Sequence, residues 1–137
     1  MSKVTPIDKQ YIFDDKVIIS QTDPDGIITY ANRMFCEVSS YSLDELLGRS
    51  HNIVRHPDMP HAVFTKMWET IKSGQVWNGL IKNLRKDGMY YWVDTEILPI
   101  QDDEGNISGY IAARRPASQK DIKESEELYS KMLEAER

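Results

Sequence analysis

Cysteine is nearly absent from this chain. Cys36 is the only one, which excludes an internal disulfide and a cysteine-rich zinc site. Long apolar runs are missing as well: none approaches the roughly 20 residues that span a bilayer, so no direct membrane insertion is expected. Positive charge is in deficit, with 17 Lys and Arg against 22 Asp and Glu and a net charge of -5. A nucleic-acid binder would carry a basic footprint instead. Residues 1–10 have no apolar core after Lys3, so no signal peptide is expected, and a cytoplasmic location is the expectation. There is no internal repeat and no low-complexity tract. A nucleophile elbow, a phosphate-cradling P-loop and an HExxH zinc pattern are also lacking, so the chain is not expected to be an enzyme.

What is present suits one soluble domain. A length of 137 residues with 40% hydrophobic and 28% charged residues can bury a single core. Val17–Thr22 and Ile27–Tyr30 read as strands joined by the turn Asp23-Pro24-Asp25-Gly26, where proline presets one dihedral and glycine supplies a positive one. Asn32 reads as the N-cap of a short helix whose buried face is Ala31, Met34, Phe35 and Val38. Ser42 through Glu45 is a capping box, and Gly48 closes that second helix. A third helix begins near Asp58, with Phe64, Met67, Trp68 and Ile71 as its buried stripe and Gly74 at its end. Strands at Val76–Arg85 and Met89–Ile100 flank Lys86-Asp87-Gly88, a strong hairpin signal. A turn at Asp102–Asn106 leads to a last strand, Ile107–Arg115. Pro116 stops it, and Ser118 opens a charged helix running to Arg137. The thin seam of that helix (Ile122, Tyr129 and Met132, beside Leu128 and Leu133) suits helix pairing better than a core. The helix ends without a cap, which favours a fragment of a longer transducer or a partner that extends it.

This order predicts an α+β fold: an antiparallel five-stranded sheet with short helices packed on one face and a C-terminal signalling helix. The expected division is an N-terminal extension at 1–16, a sensor domain at 17–116 and a C-terminal helix or linker at 117–137. A ligand would lie between the sheet and the helical layer.

The oddest chemistry is in Gly48–Pro60. His51, His56 and His61 lie in or just after it, and Arg55, His56 and Asp58 crowd together between Pro57 and Pro60. Ordered loops on rigid scaffolds often carry function. The histidine spacing of five fits poorly to metal ligands on one helix face, and a lone His–Asp pair is weak evidence of acid–base chemistry. Arg55 with His56 makes better sense as an anion site, beside the free amides expected where the third helix starts.

Strand alternation adds a second candidate. Trp77, Gly79, Ile81, Asn83 and Arg85 share one face, which suits packing around something flat. Asn83 on that face needs a partner in backbone, water or ligand, since a buried unpaired amide costs about 1–3 kcal/mol. Asn32 is explained by capping, and Trp68 by core packing. The face taken by Trp92 is left open by its aromatic run. Cys36, lying beside a buried stripe with no base in view, reads as an inert thiol.

Several short runs in fixed order resemble the PAS sensor family over about residues 15 to 116: Ile28-Thr29-Tyr30-Ala31-Asn32, Tyr41 through Gly48, Lys86-Asp87-Gly88 before Tyr91-Trp92, and Asp102–Gly109. Within that family, His51–Pro60, Met67-Trp68, Val76-Trp77-Asn78-Gly79 and Lys82 through Lys86 are similar to the flavin-binding domains of bacterial aerotaxis receptors. The resemblance implies a non-covalent FAD and a redox-, oxygen- or energy-sensing role. Arg55, His56 and Asp58 are implied to support FAD binding and Asn83 to face the isoalloxazine edge. Asn32, Trp68 and Trp77 are implied to belong to the pocket, and His51 completes the cofactor-binding set. Light-sensing relatives carry a reactive cysteine just after Gly48; here that segment is Arg49-Ser50-His51-Asn52, so no photoadduct is expected.

The implied partner is a chemotaxis transducer, with a HAMP or other signalling domain in cis or in trans, and a homodimer is a further arrangement. Two rival readings stay open: a haem-binding oxygen sensor with His56 or His61 as axial ligand, and a cofactor-free dimerisation module. A small flavoenzyme ranks last, because no catalytic base is in view.

Overall fold

The computed structural model describes residues 4–137. Its elements are β1 (Ile18–Thr22), β2 (Ile28–Ala31), α1 (Arg33–Ser39), α2 (Leu43–Leu46), a 3-10 turn at His51–Val54, α3 (His61–Lys72), β3 (Trp77–Leu84), β4 (Tyr90–Gln101), β5 (Ile107–Pro116) and α4 (Gln119–Glu136). The strands form one antiparallel sheet in the order β2-β1-β5-β4-β3. This is the α+β architecture expected from the sequence.

Local signals explain the element boundaries. Asn32 Oδ1 accepts from the Phe35 amide at 3.0 Å, starting α1. Ser42 and Glu45 exchange side-chain bonds with each other's backbone, completing the capping box of α2. Gly26 and Gly88 take positive φ at the β1–β2 and β3–β4 turns, where other residues would be strained.

The core lies between the sheet and the layer of α1–α3. Ile18, Phe35, Val38, Leu46, Val54, Ile71, Tyr91 and Val93 are fully buried there. Two expectations about α3 change. The helix begins at His61 behind Pro60, not near Asp58, and its buried residues are Val63, Met67 and Ile71. Phe64 and Trp68 line a cavity against the sheet together with Met67 and Ile71, and are only partly buried.

The segment before β1 docks on the sheet. The Tyr11 amide donates to the Tyr90 carbonyl at 2.7 Å, and the Ile7 amide to that of Gly88 at 2.9 Å. Tyr11 also lies under the Arg85 guanidinium, 3.8 Å from ring centroid to Cζ. Residues 1–3 of the expected extension lie outside the described residues.

The seam of α4 is not left open for helix pairing. It packs on the face of β3–β4 opposite the cavity, where Tyr129 stacks on Trp92 at 6.1 Å and donates from its hydroxyl to the Leu80 carbonyl at 2.7 Å. Ile122 is buried and Met132 partly so, while Leu128 stays 55% exposed. This packing also settles Trp92, which lies under α4 and away from the cavity side. At its far end α4 reaches α3: the Glu136 carboxylate accepts from the amides of His61 and Ala62, both at 3.0 Å.

Candidate functional site

A cavity of about 430 Å³ opens between the sheet and the α3 side of the helical layer, within the range of small-molecule and cofactor sites. Its sheet wall comes from Ser20 on β1, Ile81 and Asn83 on β3, Thr95 and Ile97 on β4, and Tyr110, Ala112 and Arg114 on β5. The opposite wall is Phe64, Met67, Trp68 and Ile71 of α3, and the loop wall is Ser50, His51, Asn52 and Arg55. The helical period of α3 places Phe64, Met67, Trp68 and Ile71 on one side, and the strand period places Ile81 with Asn83. Trp68 meets Tyr110 edge-on at 5.6 Å. A Cβ on Gly26 would touch the Trp68 ring at 3.2 Å, so the β1–β2 turn closes directly over it.

Four expected site residues line this cavity: His51, Arg55, Trp68 and Asn83. Four do not. Asn32 spends both ends of its amide on backbone, accepting from Phe35 and donating to the Val17 carbonyl at 2.9 Å. Trp77 lies flat along β3, where a Cβ on Gly79 would come within 2.5 Å of its indole, so Gly79 makes room for Trp77 rather than for a ligand. Asp58 is largely exposed and pairs with Lys82 at 3.2 Å. His56 is buried behind the loop, packed edge-on against Tyr90.

Protonation states sharpen the loop. His56 accepts at Nδ1 from the Asp58 amide at 3.0 Å. Burial pushes its pKa down to about 4, with nearby Lys82 adding to the effect, so His56 is neutral near pH 7 and holds the loop rather than an anion. The α3 amides expected to be free for an anion are occupied by Glu136. Arg55 remains a cation aimed at the cavity. Its guanidinium lies 3.8 Å from the Phe64 ring centroid, its Nε is buried without a partner, and burial lowers its pKa.

One group was missed in the sequence. Arg114, only 4% exposed, points its Nη2 at His51 Nε2 (2.6 Å) and at Ser20 Oγ (3.1 Å). Arg114 donates, so Nε2 of His51 accepts and the imidazole is neutral. Burial together with the Arg114 charge pushes the pKa of His51 down to about 3. The other terminal nitrogen of Arg114, Nη1, is buried with no partner. The available signal was alternation: Tyr110, Ala112 and Arg114 share one face of a strand whose inner positions should be apolar, and a charge there called for an explanation.

Orphaned Arg55 Nε and Arg114 Nη1, an amide at Asn83 and aromatic walls at Phe64, Trp68 and Tyr110 fit a flat, polar-edged ring such as a flavin. Among the lining residues there is no cysteine, and Cys36 lies on α1 with its thiol pKa pushed up by burial. Among the described residues no cluster of three metal-ligating side chains occurs, and no helix is long and apolar enough to cross a membrane.

The sheet order and the cavity between sheet and helices define an α+β domain with room for a small molecule between its two layers. The family profile described as PAS fold matches residues 28–114, and the chain belongs to the PAS family. It is 48% identical over 116 residues to the aerotaxis receptor of Escherichia coli (strain K12), an alignment covering 85% of this chain and 23% of the receptor. It is 36% identical over 102 residues to the nitrogen fixation regulatory protein of Klebsiella pneumoniae, covering 74% of this chain and 21% of that protein. Among solved structures, the light-state structure of the blue-light photoreceptor Aureochrome1 LOV superposes with a TM-score of 0.71 at 28% identity, over 79% of this chain and 90% of that one. The chain spans less than a quarter of the length of these two curated relatives. A signalling sensor role follows from this kinship.

Proposed function

We propose that this domain binds FAD non-covalently and serves as a redox or oxygen sensor for aerotaxis-type signalling. The observation that carries the reading is the cavity wall itself, in which two arginine nitrogens are buried without partners beside a flat aromatic enclosure. A buried donor left unpaired costs about 1–3 kcal/mol, more for a charged group, so a ligand that meets both offsets a standing penalty. A bound flavin supplies a redox-active ring whose polar edge changes charge and hydrogen-bonding capacity on reduction.

The chain's own residues then divide the work. Phe64, Trp68 and Tyr110 enclose the ring and exclude water. Asn83 presents an amide that can offer either its oxygen or its N–H to the ring edge. Arg55 supplies a forked donor for an accepting or anionic group at the loop side. His51 helps fix Arg114, while His56 and Asp58 hold the loop in shape, and Asn32 and Trp77 act on the pocket only through the helix start and the strand they hold. The signal has a physical path along β3: Asn83 and Ile81 face the cavity, and Leu80 on the same strand accepts from Tyr129 of α4. The partner in this reading is a chemotaxis transducer or signalling domain on the cytoplasmic side, reached through α4 in cis or in trans.

The haem alternative loses support at the ligand. His56 lies outside the lining, His61 is exposed on α3, and Nε2 of His51 is taken by Arg114. The deciding measurement is the absorption spectrum of the purified protein, followed by mass spectrometry of the released cofactor. A flavin spectrum and the mass of FAD are expected. A Soret band or a colourless, folded protein overturns the reading.

A further inference from the structure

Arg114 is a buried cation without a counter-ion. Among the described residues no carboxylate forms an ion pair with it. Every group that faces it is neutral near pH 7: Ser20 from β1, His51 from the 3-10 turn, Phe35 of α1 at 5.4 Å from its ring centroid, and Tyr91 from β4. Tyr91 stays protonated because burial raises its pKa, and His51 stays unprotonated for the same reason. Burial lowers Arg114 itself to about 10, which still leaves it charged at neutral pH. Arg55 adds a second positive charge on the loop wall. A positive field without an internal anion is costly unless something else supplies the negative charge.

Position matters as much as charge. Arg114 lies on β5 in the cavity wall, with Nη2 anchored by two neighbours and Nη1 left over. Anchoring one nitrogen of a planar fork fixes the direction of the other.

We propose that Arg114 is the counter-charge of this cavity, its Nη1 pairing with a ligand atom that carries negative charge, so that a bound flavin is held as the anion once reduced. This rests on the flavin reading above. The balance is simple. Two electrons from a reductant of the dithionite type and one proton from water convert the oxidised ring to the reduced anion, and the guanidinium spares the second proton that a neutral product requires. His51 and Ser20 act as positioning residues for Arg114.

The test compares wild type, Arg114→Met and Arg114→Lys, each loaded with FAD and titrated anaerobically with dithionite from pH 5 to 9. The midpoint potential against pH shows a break between two-proton and one-proton uptake per two electrons. That break is expected to move up by at least one pH unit in Arg114→Met and to stay nearer the wild-type position in Arg114→Lys. Above the break the Arg114→Met potential should fall by the equivalent of at least a tenfold change in equilibrium constant, about 30 mV for a two-electron couple. An unchanged break in Arg114→Met overturns the proposal.

If Arg114→Met purifies without flavin, its affinity is measured separately for oxidised and reduced FAD. A loss at least tenfold greater for the reduced form supports the counter-charge, and equal losses overturn it. If wild type binds no flavin, the reading of function fails on its own account. The counter-charge is then judged on the ligand-free proteins by thermal melting. Arg114→Met at least as stable as wild type supports a cation placed for a ligand, and a clearly less stable variant overturns it.

Discussion

Arg55 and Asn83 face each other as an antiparallel backbone pair, so the loop from Gly48 to Pro60 is stitched directly to β3. The loop cation and the strand amide therefore occupy fixed positions relative to each other, although one sits in an irregular segment. Removing the Arg55 side chain leaves this backbone pairing intact. Arg55→Ala should keep the fold and lose at least tenfold in flavin affinity, read by titrating the apoprotein with FAD. Full occupancy with unchanged affinity removes Arg55 from the site.

Gly79 makes a different kind of prediction. A Cβ there meets the Trp77 indole at 2.5 Å, so Gly79→Ala forces Trp77 off its seat on β3. Overpacking of this sort costs about 1–3 kcal/mol, measurable by urea denaturation. Combining it with Trp77→Leu should recover part of the loss, because the clash disappears.

His51 couples stability to pH. Its pKa falls from an ordinary 6.5 in the unfolded chain to about 3 in the fold. Below pH 6.5 the unfolded chain takes up the proton first, so stability present above that pH is lost as pH falls toward 3. The slope is at most about 1.4 kcal/mol per pH unit for one proton. His51→Gln should flatten the melting profile over that window.

Glu136 acts lower on the pH scale and with the same sign. Its carboxylate accepts from the Ala62 and His61 amides, which holds its pKa below the usual 4.5. The stabilisation it supplies is present above that ordinary value and disappears as pH falls through the depressed one. Glu136→Gln should remove this acid-side loss, and amide exchange at Ala62 should rise at neutral pH.

Tyr129→Phe deletes the hydroxyl bond to Leu80 while leaving the ring on Trp92. A net loss of about 0.5–1.5 kcal/mol is expected, with earlier proteolysis within α4 than in wild type. Protease resistance equal to wild type argues that the hydroxyl does not hold the helix.

Local chemistry made most of the fold legible. Asn32, the Ser42–Glu45 capping box and the Asp87-Gly88 turn act through neighbours in sequence, and their elements formed where expected. Alternation puts Asn83 on the cavity side of β3, whereas helical period reads Trp68 as core and only the family resemblance places it in the pocket. What stayed hidden depends on distant partners. Nothing near Pro60 signals that the cap of α3 is Glu136, from the far end of the chain. The thin seam of α4 reads as a pairing face, and only the sheet shows that it covers Trp92. The role of Arg114 does not show within the last strand because its partners, Ser20 and His51, come from two other segments.

The course of α4 has a mechanical consequence. The helix starts just past β5, which carries Arg114, grips β3 through Leu80 next to Ile81, and ends on α3, which carries Trp68. It spans the outside of the cavity like a caliper whose jaws rest on separate walls. If β3 and α3 move apart or together by more than a hydrogen bond tolerates, α4 must bend or release one jaw. A ligand that altered the spacing of β3 and α3 would therefore act on the attachment of a helix outside the cavity.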